Sequence, residues 1–320
     1  MKNVLVLGKI HDAGLQILRA APDVSFTELA EHVPEIFDHL SETDAIIVRM
    51  TKIDQRVIDA APKLKIVARH GVGYEAVDVG ALTARGIPLA LVGNVNATAV
   101  AEHTLAMMLA MAKKLVPYDH ATRNGNFKIR DSFSQTELLN KTVLVAGFGR
   151  IGREVAQRCA AFGMKVVIAD PFVPAEAVQA AGYQPAENFQ AALPQADYVS
   201  IHVPKTPETE NLITAKEIAT MKDGAFIVNV SRGGMANEGD LYEALSSGKL
   251  AGAALDVFEP EPPKPDNPLF ELDNLVVSPH CGAFTVECGQ RMAEVCARNV
   301  LAVFEGTLDP ALVVNKDVLE

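Results

Sequence analysis

Thr142-Val-Leu-Val-Ala-Gly147-Phe-Gly149-Arg150-Ile151-Gly152-Arg-Glu-Val-Ala-Gln-Arg-Cys-Ala160 decides how this chain is read. A short β-rich run leads into a glycine-rich turn, and the turn leads into an amphipathic helix. Glycines spaced G-x-G-x-x-G occur in many turns. The position between strand and helix is what a dinucleotide site needs. Gly147 permits the tight turn, Gly149 lets the backbone approach a pyrophosphate, and Gly152 lets the helix pack close to the strand. The helix start offers N–H groups and a partial positive charge to phosphates. A second strand, at 165–169, ends in Asp170. The interval from Gly149 is 170 − 149 = 21 positions, close to the ~20 expected of the carboxylate that binds an adenosine ribose. Asp170 favours NAD over NADP, because its charge repels a 2′-phosphate.

Outward from this unit, strands and helices alternate. In the first hundred residues β-rich runs fall at 4–7, 45–48, 66–68 and 88–92, with helical patterns at 55–60 and 76–85. A long apolar helix follows at about 98–114. Beyond the glycine turn, strands are expected at 198–203, 225–230, 251–256 and 275–278, then a last helix at 287–304 and a tail. Such alternation specifies α/β structure with mostly parallel sheets covered on both faces. The tail is long enough only to return to the first domain. The expected organisation is therefore a first domain of residues 1–97 plus 288–320, with a cofactor domain of residues 98–287 inserted. The proline-rich stretch 259–268 reads as a rigid loop.

Composition narrows the functions. The 320 residues suit two domains, and 49% hydrophobic with 22% charged residues is ordinary for a globular enzyme. A net charge of −11 argues against a general binder of nucleic acid or anionic membrane, but leaves room for a small anionic substrate held by local arginines. The apolar stretch 105–112 is too short to span a bilayer, and the N-terminus reads as strand and turn, not as a signal peptide. Cys159, Cys281, Cys288 and Cys296 form no C-x-x-C pair, which suits reduced thiols and a cytoplasmic location. No histidine–cysteine spacing suggests zinc, so no metal is expected.

Three later segments each end a strand on a reactive group, where open parallel sheets bind ligands. Asn229-Val230-Ser231-Arg232-Gly-Gly delivers Arg232. Leu255-Asp256-Val-Phe-Glu259-Pro-Glu261-Pro262 delivers Asp256 and Glu261. Pro279-His280-Cys281-Gly282 delivers His280. An arginine can grip a carboxylate bidentately and polarise the adjacent carbonyl. A histidine can exchange the proton on the substrate oxygen while hydride moves. A glutamate can hold the imidazole in one tautomer.

Over nearly its whole length the chain resembles the D-isomer-specific 2-hydroxyacid dehydrogenase family, through Gly147-Phe-Gly149-Arg-Ile-Gly152, Asn229-Val-Ser-Arg232-Gly-Gly, Leu255-Asp-Val-Phe-Glu-Pro-Glu261-Pro and Pro279-His280-Cys-Gly282. The resemblance implies two Rossmann-like doubly wound domains, a flavodoxin-like substrate domain and an NAD-binding domain, with an active-site cleft between them. It implies Arg232, Glu261 and His280 as the catalytic set; Glu259 is the rival carboxylate, and Pro262 after Glu261 favours the latter. It implies NAD contacts from Gly147, Gly149, Arg150, Ile151, Gly152, Asp170, His202, Val203, Pro204, Thr209, Val230, Ser231, Asp256, Gly282 and Thr98. Substrate contacts would come from Arg49, Val72, Gly73, Asn96 and Arg232. Arg49-Met-Thr-Lys and Arg69-His-Gly71-Val-Gly73 look like the 3-phosphoglycerate dehydrogenase branch, in which an arginine after the third strand meets the far anionic end of the substrate. The chain ends at residue 320, so it would be a short form without a regulatory domain. Phe284 departs from the small residues common in that branch, which leaves glyoxylate or hydroxypyruvate reduction open. The family habit and the apolar helix both suggest a homodimer. An NADH-sensing binding protein is the non-enzymatic alternative.

Other histidines have ordinary explanations. His11, His32, His39 and His120 read as surface residues, and His103 as a packed, hydrogen-bonded residue of the apolar helix. His70 lines a cleft or braces the glycine loop. Asp256 contacts the cofactor or caps a turn, and Arg49 meets substrate or is a solvated strand-end charge.

Overall fold

The computed structural model describes residues 1–319. Two compact units divide the chain: Met1–Asn96 with Phe284–Glu320, and Ala97–Ala283.

The first unit holds five parallel strands, β1 (Lys2–Leu7), β2 (Val24–Leu29), β3 (Ala45–Val48), β4 (Ile66–Arg69) and β5 (Leu89–Ala90), in the order β2-β1-β3-β4-β5. β3, residues 4–7 of β1 and residues 66–68 of β4 are continuous buried apolar runs, as expected of a parallel sheet covered on both faces. The sequence pattern misses β2. It reads Val-Ser-Phe-Thr-Glu-Leu, a polar edge strand with no fully buried residue. Helix Gln55–Ala60 begins where Asp54 accepts the N–H of Arg56 and Val57. Helix Val79–Ala84 starts three residues later than its apolar pattern, because Asp78 caps it. The C-terminal helix Val286–Glu305, capped by Thr285, returns to this unit. It lies so close to helix Asp12–Ala20 that a Cβ on Gly14 would come within 2.6 Å of the Ala293 carbonyl. Asn315 then ties the tail to β5 through Leu89 N and Ile87 O.

The second unit holds seven strands: β6 (Thr142–Ala146), β7 (Lys165–Ala169), β8 (Gln184–Pro185), β9 (Tyr198–Ile201), β10 (Ala225–Asn229), β11 (Leu250–Leu255) and β12 (Leu275–Val277). All pair in parallel, in the order β12-β11-β10-β9-β6-β7-β8. The order reverses between β6 and β9, which puts the switch point at the glycine turn after β6. Helix Ala97–Ala112 buries Val100, Ala101, Leu105, Met107, Met108 and Met111 within this unit, packed on the same cluster as Val155 and Cys159 of helix Arg150–Ala161. Its apolar character is thus satisfied inside its own unit, and does not by itself argue for a dimer. Among the described residues no helix is long and apolar enough to cross a membrane.

Candidate active site

The turn after β6 separates two demands on glycine. Gly147 has φ +95°, and a Cβ there would sit 2.7 Å from the His202 carbonyl. A Cβ on Gly152 would collide with the Gly147 carbonyl. Both positions are required by the fold itself. Gly149 differs: a Cβ there would meet no protein atom within 4 Å, and its backbone conformation is open to any residue. Packing gives no reason for glycine at 149, and close approach of a phosphate gives one. Gly149 also starts helix Arg150–Ala161 without a side-chain cap, with Arg150 and Ile151 in the first turn. Asp170 lies beside the same turn. Its Oδ2 accepts Phe148 N–H at 2.7 Å and its Oδ1 accepts Phe172 N–H at 2.9 Å.

The loops after β9 and β10 lie next along the sheet. His202 hydrogen-bonds Ser200 Oγ at 2.7 Å, and burial holds its pKa far below the usual histidine value, so it is neutral. The Thr209 hydroxyl donates to Pro204 O at 2.6 Å, closing the 204–209 turn. Ser231 Oγ donates to Val203 O and joins the two loops. Beyond the buried Val230, Asn229 accepts Ser231 N–H and donates to Arg232 O, which shapes the turn that presents Arg232. A Cβ on Gly233 would collide with the Phe258 carbonyl, so the Arg232 turn packs directly on the segment carrying Glu261.

His280 Nδ1 lies 2.8 Å from Glu261 Oε2, and Glu261 Oε1 accepts Phe258 N–H at 3.0 Å. Burial would raise the Glu261 pKa. The His280 hydrogen bond, the Phe258 N–H and the charges of His280 and Arg232 outweigh it and keep the carboxylate ionised. The rival Glu259 turns away to ion-pair with Lys205. Asp256 is buried and occupied: it accepts Ser278 Oγ at 2.5 Å, Cys281 N–H at 2.8 Å and Gly282 N–H at 2.9 Å, with His103 Nε2 at 3.5 Å. Burial opposes its charge, but these bonds hold its pKa at about 2. Asp256 therefore anchors the turn that carries His280, whose own φ is +51°. His103 bonds Ser278 Oγ at 2.9 Å and extends this network. His103 is thus hydrogen-bonded, as its sequence reading had it, while Ser278 was not singled out because it carries no motif of its own.

Arg49, Val72, Gly73 and Asn96 belong to the first unit, and Thr98, which is exposed, opens the second. Val72 and Gly73 sit on the partly exposed loop after β4, where Gly71 has φ +146°. Asn96 is buried. His70 is buried as well, and its ring makes no hydrogen bond among the described residues. Arg49 is ion-paired: its Nε lies 3.5 Å from Glu31 Oε1, its Nη1 donates to Lys9 O at 2.9 Å, and its guanidinium sits 5.0 Å from the Phe284 ring centroid. Glu31 lies on the loop after β2, the strand the pattern missed, so nothing in the sequence pointed to it.

The chain as a whole is similar to several known proteins. A sequence model described as D-isomer specific 2-hydroxyacid dehydrogenase, NAD binding domain, matches residues 105–282. A D-3-phosphoglycerate dehydrogenase of Methanocaldococcus jannaschii is 38% identical over 96% of this chain, which covers 58% of that relative. The chain thus spans little more than half the length of such relatives. A glyoxylate reductase of Thermofilum pendens is also 38% identical, over 99% of this chain and 95% of its own. Among solved structures, a D-lactate dehydrogenase of Aquifex aeolicus complexed with NAD and lactic acid aligns with a TM-score of 0.87 at 29% identity, over 98% of this chain and 99% of that one.

Proposed function

The chain belongs to the D-isomer specific 2-hydroxyacid dehydrogenases, and on that premise we propose that it moves hydride between NAD and C2 of a small D-2-hydroxy acid or its 2-oxo acid, with 3-phosphoglycerate and the unphosphorylated hydroxypyruvate or glyoxylate class as the two candidates. The His280–Glu261 pair beside Arg232 is the observation that carries this reading. Once bound, NAD would accept the hydride in oxidation, and NADH would supply it in reduction. The residues that would hold it are the open Gly149 turn, the uncapped helix start at Arg150 and Ile151, and Asp170, in a domain whose family binds NAD.

The chain's own groups divide the remaining work. Arg232 binds the substrate carboxylate, and its charge polarises the neighbouring carbonyl. Glu261 holds Nδ1 of His280, which leaves Nε2 to serve the substrate. In reduction Nε2 delivers a proton to the nascent C2 alkoxide. In oxidation the same atom takes the hydroxyl proton. Asp256, through Cys281 N and Gly282 N, fixes the turn from which His280 reaches out.

The test is NADH consumption with 2-oxo acids by the wild type and by His280→Ala. Turnover should fall about 10³-fold in the variant, with NADH binding nearly intact. Undiminished turnover would contradict the role given to His280. We also propose a homodimer, supported by the exposed Leu115, Val116, Phe127 and Phe133 that follow helix Ala97–Ala112.

A further inference from the structure

At the carboxyl edge of the five-stranded sheet, the loops after β1, β2 and β3 bring Lys9, Glu31 and Arg49 together. The strand order β2-β1-β3 places the switch point of this sheet between β1 and β3, where open α/β sheets take ligands. The family resemblance makes Arg49 the residue for the far end of a substrate, yet each of its binding edges already faces a protein oxygen. A guanidinium grips a phosphate or carboxylate through one of two forks, Nε with one Nη or the two Nη together. Here Nη1 donates to the Lys9 carbonyl at 2.9 Å, and Nε lies 3.5 Å from the Glu31 carboxylate in an ion pair without a hydrogen bond, so each fork has one nitrogen set against a protein oxygen. The Phe284 ring, 5.0 Å away, covers the guanidinium.

Glu31 is held in place. Its Oε1 is buried, makes no hydrogen bond among the described residues, and sits where a Cβ on Gly8 would lie 2.5 Å away. The backbone on either side is tied down: Gly8 N donates to Leu29 O at 2.9 Å, and His32 N donates to Thr51 Oγ1 at 3.1 Å. Glu31 and Arg49 are each mostly shielded from water, with side-chain exposures of 27% and 21%, so solvent screens the pair only partly. The neighbouring arginine offers no ready replacement, because Arg69 Nη1 donates to His70 O at 2.6 Å.

We propose that Glu31 is a specificity-determining residue: it cancels the charge of Arg49, so this chain takes 2-oxo acids with an uncharged distal end in preference to phosphorylated ones. The inference rests on the dehydrogenase reading and gives it a substrate class. A phosphate dianion brought to Arg49 meets the Glu31 carboxylate as well. A neutral hydroxyl or a small apolar terminus pays no such repulsion.

Hydroxypyruvate and 3-phosphohydroxypyruvate differ only in the phosphate, so the ratio of their kcat/KM values isolates this effect. The wild type should favour hydroxypyruvate. Glu31→Gln, nearly isosteric, should move the ratio about tenfold toward the phosphorylated acid, chiefly through its KM. Arg49→Gln in the wild-type background should change the ratio less than about twofold, whereas in the Glu31→Gln background it should abolish the gain. A wild type that prefers the phosphorylated acid, or a Glu31→Gln ratio that does not move while both acids turn over, overturns the role of Glu31 alone. Absence of turnover with either acid overturns the inference; absence with glyoxylate and pyruvate as well, in a wild type that still binds NADH, overturns the dehydrogenase reading with it.

Discussion

His280 is served by one of two carboxylates that stand two positions apart in the sequence. Glu261 reaches its Nδ1, while Glu259 pairs with Lys205. The motif pointed to Glu261, but only the folded turn shows where Glu259 goes. Asp256 was open between cofactor contact and turn cap; the structure gives it four neighbours that make it the anchor of the His280 turn. His70 carries a pH consequence. Burial, then the charges of Arg49 and Arg69, lower its pKa from 6.5 to about 4. The native state therefore holds the neutral ring, while the unfolded chain takes up a proton below 6.5. Stability from this residue is complete above pH 6.5 and is lost as the pH falls toward 4, by about 3 kcal/mol in all. Denaturant melts between pH 4 and 7 should show this slope in the wild type and a flatter one in His70→Leu. Equal slopes would show that His70 is not held neutral.

At the scale of elements, periodicity and punctuation found the apolar strands and several of the helices. Helix Gln55–Ala60 falls where its pattern places it, and the C-terminal helix differs by one residue at each end. Helices Asp12–Ala20 and Glu238–Ser246 and the two-residue β8 escaped, as did β2, whose alternation is blurred because an edge strand need not be apolar. Its loss matters, since Glu31 follows it. The glycine turn after β6 was legible as a motif, but the reasons for its glycines became separate only in three dimensions. Gly152→Ala drives a methyl into the Gly147 carbonyl and should lower both Tm and NADH affinity. Gly149→Ala meets no protein atom, so Tm should stay within about 2 °C while NADH affinity falls about tenfold or more. A Gly149→Ala protein that binds NADH as the wild type does would show that no phosphate approaches this turn.

For the whole molecule, strand–helix alternation sufficed to anticipate two parallel-sheet α/β domains, and the structure has sheets of five and seven parallel strands. The homodimer does not follow from the feature that first suggested it, because helix Ala97–Ala112 is buried within its own unit. The better argument is the apolar surface of Leu115, Val116, Phe127 and Phe133. Light scattering should give twice the 34.2 kDa chain mass, and Phe127→Asp with Phe133→Asp should shift the protein to monomer; a monomeric wild type would remove the proposal. The account as a whole rests on proton exchange at His280 coupled to hydride transfer at an NAD site. The measurement that reaches it most directly is NADH oxidation by purified wild-type and His280→Ala protein against glyoxylate, pyruvate, hydroxypyruvate and 3-phosphohydroxypyruvate. The account predicts turnover of at least one of these acids by the wild type and its loss in the variant, with NADH still bound. NADH binding without turnover of any acid, or a variant as active as the wild type, would contradict it.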